Sequence, residues 1–223
     1  MKKIMVINTN TDHYKGIEEK TGLWLSELVH FYDYFTQREA EIVLYSVQGG
    51  KVPIDPFSVS TMMLDYNTKN YMENENFMKL LDNTKPISEA DTSEYDAVYF
   101  TGGHGTVFDF VDNEDIKRII TEMDKDKKVI STVCHGGAAL LNFDAERLKG
   151  VNVTGFSNLE EMMVKKTNKI PFLLEDELKK KGANYKKAVL PMAPYVVADG
   201  NIITGQNPQS PKSVAKKVWS VIK

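Results

Sequence analysis

The chain has 223 residues, of which 42% are hydrophobic and 26% are charged, and its formal net charge is −3. Its single cysteine excludes an internal disulfide, no apolar run approaches the roughly 18 residues of a membrane span, and the apolar run at 4–8 is too short for a signal peptide. We therefore expect one globular domain over residues 1–223 in the cytoplasm, with no nucleic-acid or membrane partner.

Short apolar runs alternate with helical patterns in the first half of the chain. The predicted strands lie at 4–8, 41–46, 96–100 and 128–133, and the predicted helices at 22–38 and 113–124. Residues 47–95 carry several glycines and prolines and contain one predicted helix, at 73–82. This composition indicates an excursion from the main sheet rather than a second domain.

The second half is predicted to contain a short strand at 150–155, helices at 158–166 and 172–181, and a hairpin at 195–205. Ser210 followed by Pro211 predicts the N-terminal cap of a last helix. Lysine clusters at 165–169 and 179–181 have acidic residues between them, which favours solvated helix faces over a nucleic-acid surface.

Strands of five or six apolar residues that alternate with helices predict a parallel sheet covered on both faces. In such α/β sheets, ligands bind at the carboxyl ends of the strands. The loops that follow the first, third and fourth strands are therefore the candidate site: TNTDHYKG, TGGHGT and CHGG.

The fourth predicted strand runs directly into Cys134, which is followed by His135 and two glycines. A strand, a single reactive residue and a glycine-containing turn into a helix are typical of a nucleophile elbow. We expect the helix N-terminus to lower the pKa of the thiol. The alternative is a small buried apolar residue, because free cysteine is often buried. Adjacency alone does not establish a Cys–His dyad.

The glycine-rich loop at 101–106 could supply backbone N–H groups to an oxyanion hole, with Gly102, Gly103 and His104 as candidates. A phosphate-binding loop is the alternative, but the Lys-Ser/Thr ending of a P-loop and the spacing of a dinucleotide fingerprint are both missing. His104 is either a ligand contact or a turn residue.

Glu27 shares the apolar stripe of the first predicted helix, because its neighbours at i−3 and i+4 are Trp24 and Phe31. A carboxyl group there is desolvated and has a raised pKa, which suits a general acid/base. Alternatively, the helix is rolled and Glu27 lies in water at the edge of the stripe. The four histidines and the cysteine show no zinc-type spacing, so no metal is predicted, and His13 and His30 are expected to be surface or structural residues.

Three segments together resemble the PfpI/ThiJ superfamily of class I glutamine amidotransferase-like proteins: KTGLWLSE at 20–27, TGGHGTVFD at 101–109 and VCHGGAALL at 133–141. Within it, the chain is most similar to the glyoxalase III (D-lactate dehydratase) group, whose members are also described as heat-shock chaperones. The segments VTGFSNLEEMM at 153–163 and VADGNIITGQNPQS at 197–210 fit the same group.

The resemblance implies an α/β fold, a flavodoxin-like three-layer sandwich with a mostly parallel central sheet, in a homodimer without metal or organic cofactor. It implies that Cys134 is the nucleophile, His135 its partner and Glu27 the acid/base. The third triad member maps to Glu161, with Glu160 as the alternative. The oxyanion donors map to the backbone of Gly103 and of the residue after the nucleophile.

Two departures from the family pattern concern the pocket. Gly137 stands where relatives commonly have proline, and the link from Cys134 to Gly155 is short. These two departures affect what the resemblance implies about the substrate more than what it implies about the reaction chemistry.

The leading hypothesis is a glutathione-independent glyoxalase III, which uses a cysteine nucleophile and a glutamate acid/base to convert the small 2-oxoaldehyde methylglyoxal to D-lactate. A cysteine hydrolase or deglycase acting on amide or glycated substrates would use the same nucleophile. A stress holdase would bind unfolded chains through apolar residues of the excursion: Val59, Met62, Met63, Leu64 and Tyr66. A thiol redox sensor is a further alternative.

Overall fold

A computed structural model describes residues 1–223, and nine strands form a large and a small sheet. The strands are β1 Lys3–Asn8, β2 Glu41–Ser46, β3 Lys85–Pro86, β4 Ala97–Phe100, β5 Val129–Val133, β6 Asn152–Val153, β7 Asn184–Tyr185, β8 Val196–Asp199 and β9 Ile202–Gly205. The large sheet has the order β3-β2-β1-β4-β5-β9-β8, and every pairing in it is parallel except that of β8 with β9. β6 and β7 pair separately.

Helices cover both faces of the large sheet. They are α1 Leu25–Thr36, α2 Tyr66–Met72, α3 Glu75–Asp82, α4 Thr106–Asp109, α5 Glu114–Lys125, α6 Ala145–Leu148, α7 Asn158–Val164, α8 Leu174–Lys180 and α9 Pro211–Ile222. Three 3-10 helices lie at Ile87–Glu89, Thr92–Glu94 and Cys134–Asn142. No helix combines the length and the apolar character that crossing a membrane requires.

The two faces of the sheet build two separate hydrophobic cores, and the alternation of side chains along β1 shows the division. Ile4 and Val6 belong to the core under α1 and α9, whereas Met5 and Ile7 belong to the core under α5. Successive side chains of a strand point to opposite faces, so a strand buried on both faces is apolar throughout. The predicted three-layer α/β sandwich is therefore confirmed.

Helix α1 starts three residues later than predicted because the chain before it is extended. Leu23 donates its N–H to the carbonyl of Pro53, and Trp24 donates to the carbonyl of Gly102. Within the helix, the ring of Phe31 stacks on Tyr99 of β4 with centroids 3.7 Å apart. The Tyr99 hydroxyl also donates to the Glu27 carbonyl at 3.0 Å. These contacts fix the height and rotation of α1 over the sheet.

The excursion at 47–95 is more regular than its composition predicted. It contains α2, which has no apolar periodicity because its residues YNTKNYM are mostly polar, and α3, which begins two residues after the predicted start. It also returns to the main sheet, since β3 pairs with Tyr45 and Ser46 at the edge. The segment is therefore an excursion that rejoins the main sheet through β3.

Three local expectations differ from the structure. The strand expected at 150–155 is only β6 and belongs to the small sheet, where it pairs with an unpredicted partner, β7. Ser210 does stand at the N-cap position of α9, with Pro211 at the start of the helix, but its side chain does not cap it, because the hydroxyl accepts from the Tyr195 N–H and donates to Asn207. The lysine cluster at 165–169 follows α7 instead of lying on it, and Lys166 and Lys169 both pair with Glu19.

Candidate active site

The predicted loops meet at the carboxyl ends of the central strands. Cys134 directly follows β5, the glycine-rich loop follows β4, and these two strands are parallel neighbours in the sheet. Glu27 reaches the same point from α1, whose N-terminal end is tied to Gly102 by the Trp24 N–H. Elements that are distant along the chain therefore converge on one buried position.

Cys134 has a φ of +54°, which is rare for a residue other than glycine. It is the first residue of the 3-10 helix and is only 3% exposed. Such a backbone conformation is held in place by surrounding structure and is frequent at active sites. The turn has the elbow geometry that the sequence predicted, although the helix that follows is 3-10.

A chain of polar contacts leads from the sulfur. The Sγ of Cys134 lies 3.4 Å from Nδ1 of His135, and Nε2 of His135 lies 2.7 Å from a carboxylate oxygen of Glu161. Burial alone would raise the pKa of Glu161, but His135 and His104 hold it well below its usual range. Glu161 is therefore an anion, and its hydrogen bond orients the imidazole of His135.

His104 completes this cluster. Its Nε2 lies 2.9 Å from the other carboxylate oxygen of Glu161, and its ring centroid lies 4.2 Å from that of His135. Burial, and then the neighbouring His135, lower the pKa of His104, so it is neutral at pH 7. His104 is thus more than a turn residue, because it fixes the carboxylate on which His135 depends.

The neighbouring carboxylates Glu160 and Glu161 have separate places in the structure. Glu160 forms a capping box with Ser157 at the start of α7 and also accepts from the Met192 N–H and the Asn207 side chain. These contacts occupy its carboxylate oxygens away from His135. Of the two candidates, Glu161 is the one next to the histidine.

Glu27 is completely buried, and neither of its carboxyl oxygens has a hydrogen-bond partner of good geometry. Burial raises the pKa of the Glu27 carboxyl to about 8, while the nearby Cys134 thiol and the Gly102 N–H only partly oppose this effect. The group is therefore neutral at pH 7. The sequence expectation of a desolvated carboxyl on the apolar stripe agrees with this geometry.

The ionisation of Cys134 differs from the expectation. Burial, followed by the adjacent Glu27, raises the pKa of the thiol well above its usual value. The partial positive charge at the N-terminus of the 3-10 helix Cys134–Asn142 does not offset the removal of the sulfur from water, so it does not lower this pKa as predicted. The thiol is therefore neutral at rest, and a base has to take its proton, which His135 is placed to do.

Gly102 allows Glu27 and Cys134 to approach each other. A Cβ atom at Gly102 would lie 2.3 Å from the carboxyl Oε2 of Glu27 and 2.9 Å from the Cβ of Cys134. Gly103 has a φ of +108°, and its backbone N–H donates to no acceptor within the protein. That free donor is available to an oxygen atom bound beside the sulfur, as an oxyanion hole requires.

A cavity of ≈ 310 Å³ opens over this cluster. Its lining combines the cluster with residues of α1, of the excursion and of the loops at 164–166, 192 and 208–209. The lining residues without a signal in the sequence include Tyr14, Ser26, Asp55, Phe57, Asp65, Phe156 and Gln209. The excursion at 47–95 therefore supplies one wall of the site.

His30 was expected to be a surface or structural residue, but it lines the cavity and its Nε2 lies 3.1 Å from Asp65. One signal was present in the sequence. His30 follows Glu27 by three positions and Ser26 by four, so all three share a face of α1. Asp65 had no such signal, because it is also the N-cap of α2 and its contact with His30 is long-range.

His104, His135 and Glu161 bring one potential metal-ligand atom each to within 4.8 Å of one another. The prediction of no metal relied on spacing along the chain, which cannot detect a cluster assembled by folding. Each imidazole bonds a different oxygen of Glu161, so a metal ion would have to displace both hydrogen bonds. The arrangement fits a hydrogen-bonded relay better than a metal centre.

Residues 21–220 match the model of the DJ-1/PfpI family. The chain is 30% identical to glyoxalase 3 of Candida albicans over 98% of this chain and 97% of that relative. It is 27% identical to the glutathione-independent glyoxalase HSP31 of Saccharomyces cerevisiae over 100% of this chain and 98% of that relative. The similarity therefore extends over the full length of both relatives.

Solved structures have the same fold. The crystal structure of the 24 kDa Rapid Encystment Protein of Francisella tularensis gives a TM-score of 0.95 at 38% identity and covers 100% of both chains. That of glyoxalase III from Candida albicans gives 0.87 at 30% identity, covering 100% of this chain and 98% of the other.

Substitutions at two glycines test how tightly the groups around Glu27 are packed. We expect Gly102→Ala to destabilise the protein by about 1–3 kcal/mol, because the added Cβ collides with buried groups that cannot move apart. Gly137→Ala is the matched control, since its Cβ would meet only the flexible end of Leu174, at 3.2 Å. Urea unfolding measures both, and an equal cost for the two variants would contradict the packing described here.

Proposed function

Because the chain belongs to the DJ-1/PfpI family, we propose that the cavity over Cys134 is the active site of a glutathione-independent glyoxalase that converts methylglyoxal to D-lactate. The observation that carries this proposal is the neutral, fully buried carboxyl of Glu27 beside the sulfur. The names of the full-length relatives, glyoxalase 3 and glutathione-independent glyoxalase, support the same reaction.

The reaction begins with covalent capture of the aldehyde. His135 takes the thiol proton of Cys134, and the sulfur attacks the aldehyde carbon, C1, while Glu27 donates its proton to the aldehyde oxygen. The product is a neutral hemithioacetal, with a protonated His135 paired to Glu161 and an ionised Glu27. The Gly103 N–H stabilises the oxygen during the attack.

The ionised Glu27 then removes the hydrogen of C1, while protonated His135 gives its proton to the oxygen of C2. This forms an enediol still bound to sulfur. Glu27 returns its proton to C2 as His135 takes the proton of the C1 hydroxyl, which leaves a lactoyl thioester. Carbon C1 is oxidised and C2 is reduced within one molecule, so the reaction needs no external redox partner.

Hydrolysis completes the cycle. Water adds its oxygen to the thioester carbon and gives a proton to Glu27, and protonated His135 returns a proton to the departing sulfur. The enzyme recovers a neutral thiol, a neutral imidazole and a neutral carboxyl. One molecule of methylglyoxal and one of water give one molecule of lactic acid.

Two other functions remain open for the same chain. A hydrolase or deglycase would use Cys134, His135 and the Gly103 N–H. Acyl transfer does not move a proton between two carbon atoms, so it has no step that requires the neutral carboxyl of Glu27. A holdase would use exposed apolar residues of the excursion, where Met62 is 79% and Tyr66 82% exposed. A cytoplasmic location and a homodimer stay predictions.

Production of lactate tests the proposed reaction. The wild-type protein should form D-lactate from methylglyoxal without glutathione, and Cys134→Ala should form none. Glu27→Gln should still be alkylated at Cys134 by iodoacetamide, yet lose lactate formation by ~10²-fold or more, because the proton can no longer pass between C1 and C2. Lactate formation by the Cys134→Ala variant would refute covalent catalysis.

The two adjacent glutamates give a second test. Glu161→Gln removes the negative charge beside His135 and should lower kcat/KM by ~10²-fold or more, and it should also lower the unfolding midpoint, because the buried carboxylate bonds both His135 and His104. Glu160→Gln is the matched variant and should lower the free energy of unfolding by about 1–3 kcal/mol, because four hydrogen bonds to a buried carboxylate weaken, while kcat/KM falls far less. The reverse pattern would assign Glu160 to the triad.

A further inference from the structure

The cavity is larger than a three-carbon substrate needs. Its ≈ 310 Å³ lies at the lower end of the roughly 300–1,000 Å³ of pockets that enclose drug-sized ligands. Methylglyoxal has only five non-hydrogen atoms, so with its C1 at the sulfur it leaves a large part of the cavity empty. The cavity extends from the cysteine to side chains of α1 and of the excursion, which form part of its lining.

The empty part has a polar wall, formed by Ser26, His30, Asp55 and Asp65. Ser26 is 6% exposed, and its hydroxyl makes no hydrogen bond to the protein. His30, one helical turn further along α1, bonds Asp65 at 3.1 Å. His30 and Asp65 are half-buried, whereas Ser26 is a buried polar group without a protein partner, which is typical of sites that orient a ligand.

Asp55 decides which ligand chemistry fits this wall. It is 4% exposed and has no cation within ion-pair distance; its carboxylate accepts only from the Thr21 hydroxyl at 3.1 Å and the Phe57 N–H at 2.8 Å. A carboxylate offers about four acceptor positions, so two remain for a ligand. Neutral hydroxyl groups can fill them as donors.

Other kinds of substrate tail fit less well. An anionic tail would face the carboxylates of Asp55 and Asp65, and the one lysine that lines the cavity, Lys166, is already paired with Glu19. A wholly apolar tail would leave the Ser26 hydroxyl and the Asp55 carboxylate desolvated without partners, which is costly. Trp24 and Phe57 offer aromatic faces to the C–H groups of a carbon chain.

We propose that this cavity is built for 2-oxoaldehydes whose carbon chain continues beyond C3 and carries hydroxyl groups, the class formed when sugars lose water. The inference rests on the proposed glyoxalase function and specifies its substrate. The sulfur of Cys134 holds the aldehyde end, and the polar wall binds the hydroxyls of the tail. Methylglyoxal is then a short substrate that leaves these interactions unused.

Two six-carbon compounds separate the alternatives. 3-Deoxyglucosone carries hydroxyls at C4, C5 and C6, and 2-oxohexanal has the same carbon chain without them. The wild-type protein should show a kcat/KM for 3-deoxyglucosone, corrected for its free-aldehyde fraction, at least ~10-fold above that for 2-oxohexanal, which is the discrimination that ligand hydroxyls provide when a site hydrogen-bonds them. Ser26→Ala should reduce this ratio severalfold, as should Asp55→Asn.

Two controls separate an effect on folding or on the reaction from an effect on binding of the tail. Ser26→Ala replaces a helical serine with a good helix former, so it folds even if Asp55→Asn does not. Binding of both compounds to the Cys134→Ala variant, measured by calorimetry, reports on the polar wall without any reaction. Tighter binding of 3-deoxyglucosone supports the proposal even if no substrate is turned over; equal or tighter binding of 2-oxohexanal overturns it, whatever the glyoxalase activity.

Discussion

The contact between the Glu27 carboxyl and the Cys134 sulfur determines the chemistry of this protein. An acid enclosed in this way keeps its proton at pH 7, because ionisation would place a charge where no water or cation can stabilise it. The same enclosure keeps the thiol neutral. The Glu27 carboxyl and the Cys134 thiol are therefore both protonated when the substrate arrives.

The fold provides this contact through parts that are distant along the chain. The stacking of Phe31 on Tyr99 holds α1 against the sheet, and Gly102 leaves room for the carboxyl that α1 carries. On the other side of the sulfur, His135 depends on Glu161, which the fold also binds to His104. A base for the thiol and an acid for the carbonyl oxygen are therefore held by different elements on either side of Cys134.

The layers, the strands β1, β2, β4 and β5 and the elbow at Cys134 follow from apolar periodicity and turn residues, which are local signals. Glu27 could be identified for the same reason, since its helical neighbours are apolar. The pKa of Cys134 could not be predicted, because it depends on burial by the whole fold rather than on the adjacent helix. The polar wall was also missed: Asp55 and Asp65 lie in a segment without clear periodicity, and only tertiary contacts bring them to His30.

The most direct test of the account is the protonation state of Glu27 in the resting protein. The ¹³C chemical shift of its side-chain carboxyl, assigned by its loss in Glu27→Gln, can be followed from pH 5 to pH 10. A neutral carboxyl at pH 7 that titrates at about 8 is the predicted result. A carboxyl already ionised throughout pH 5–7 would contradict the account, because Glu27 could not then donate a proton to the substrate.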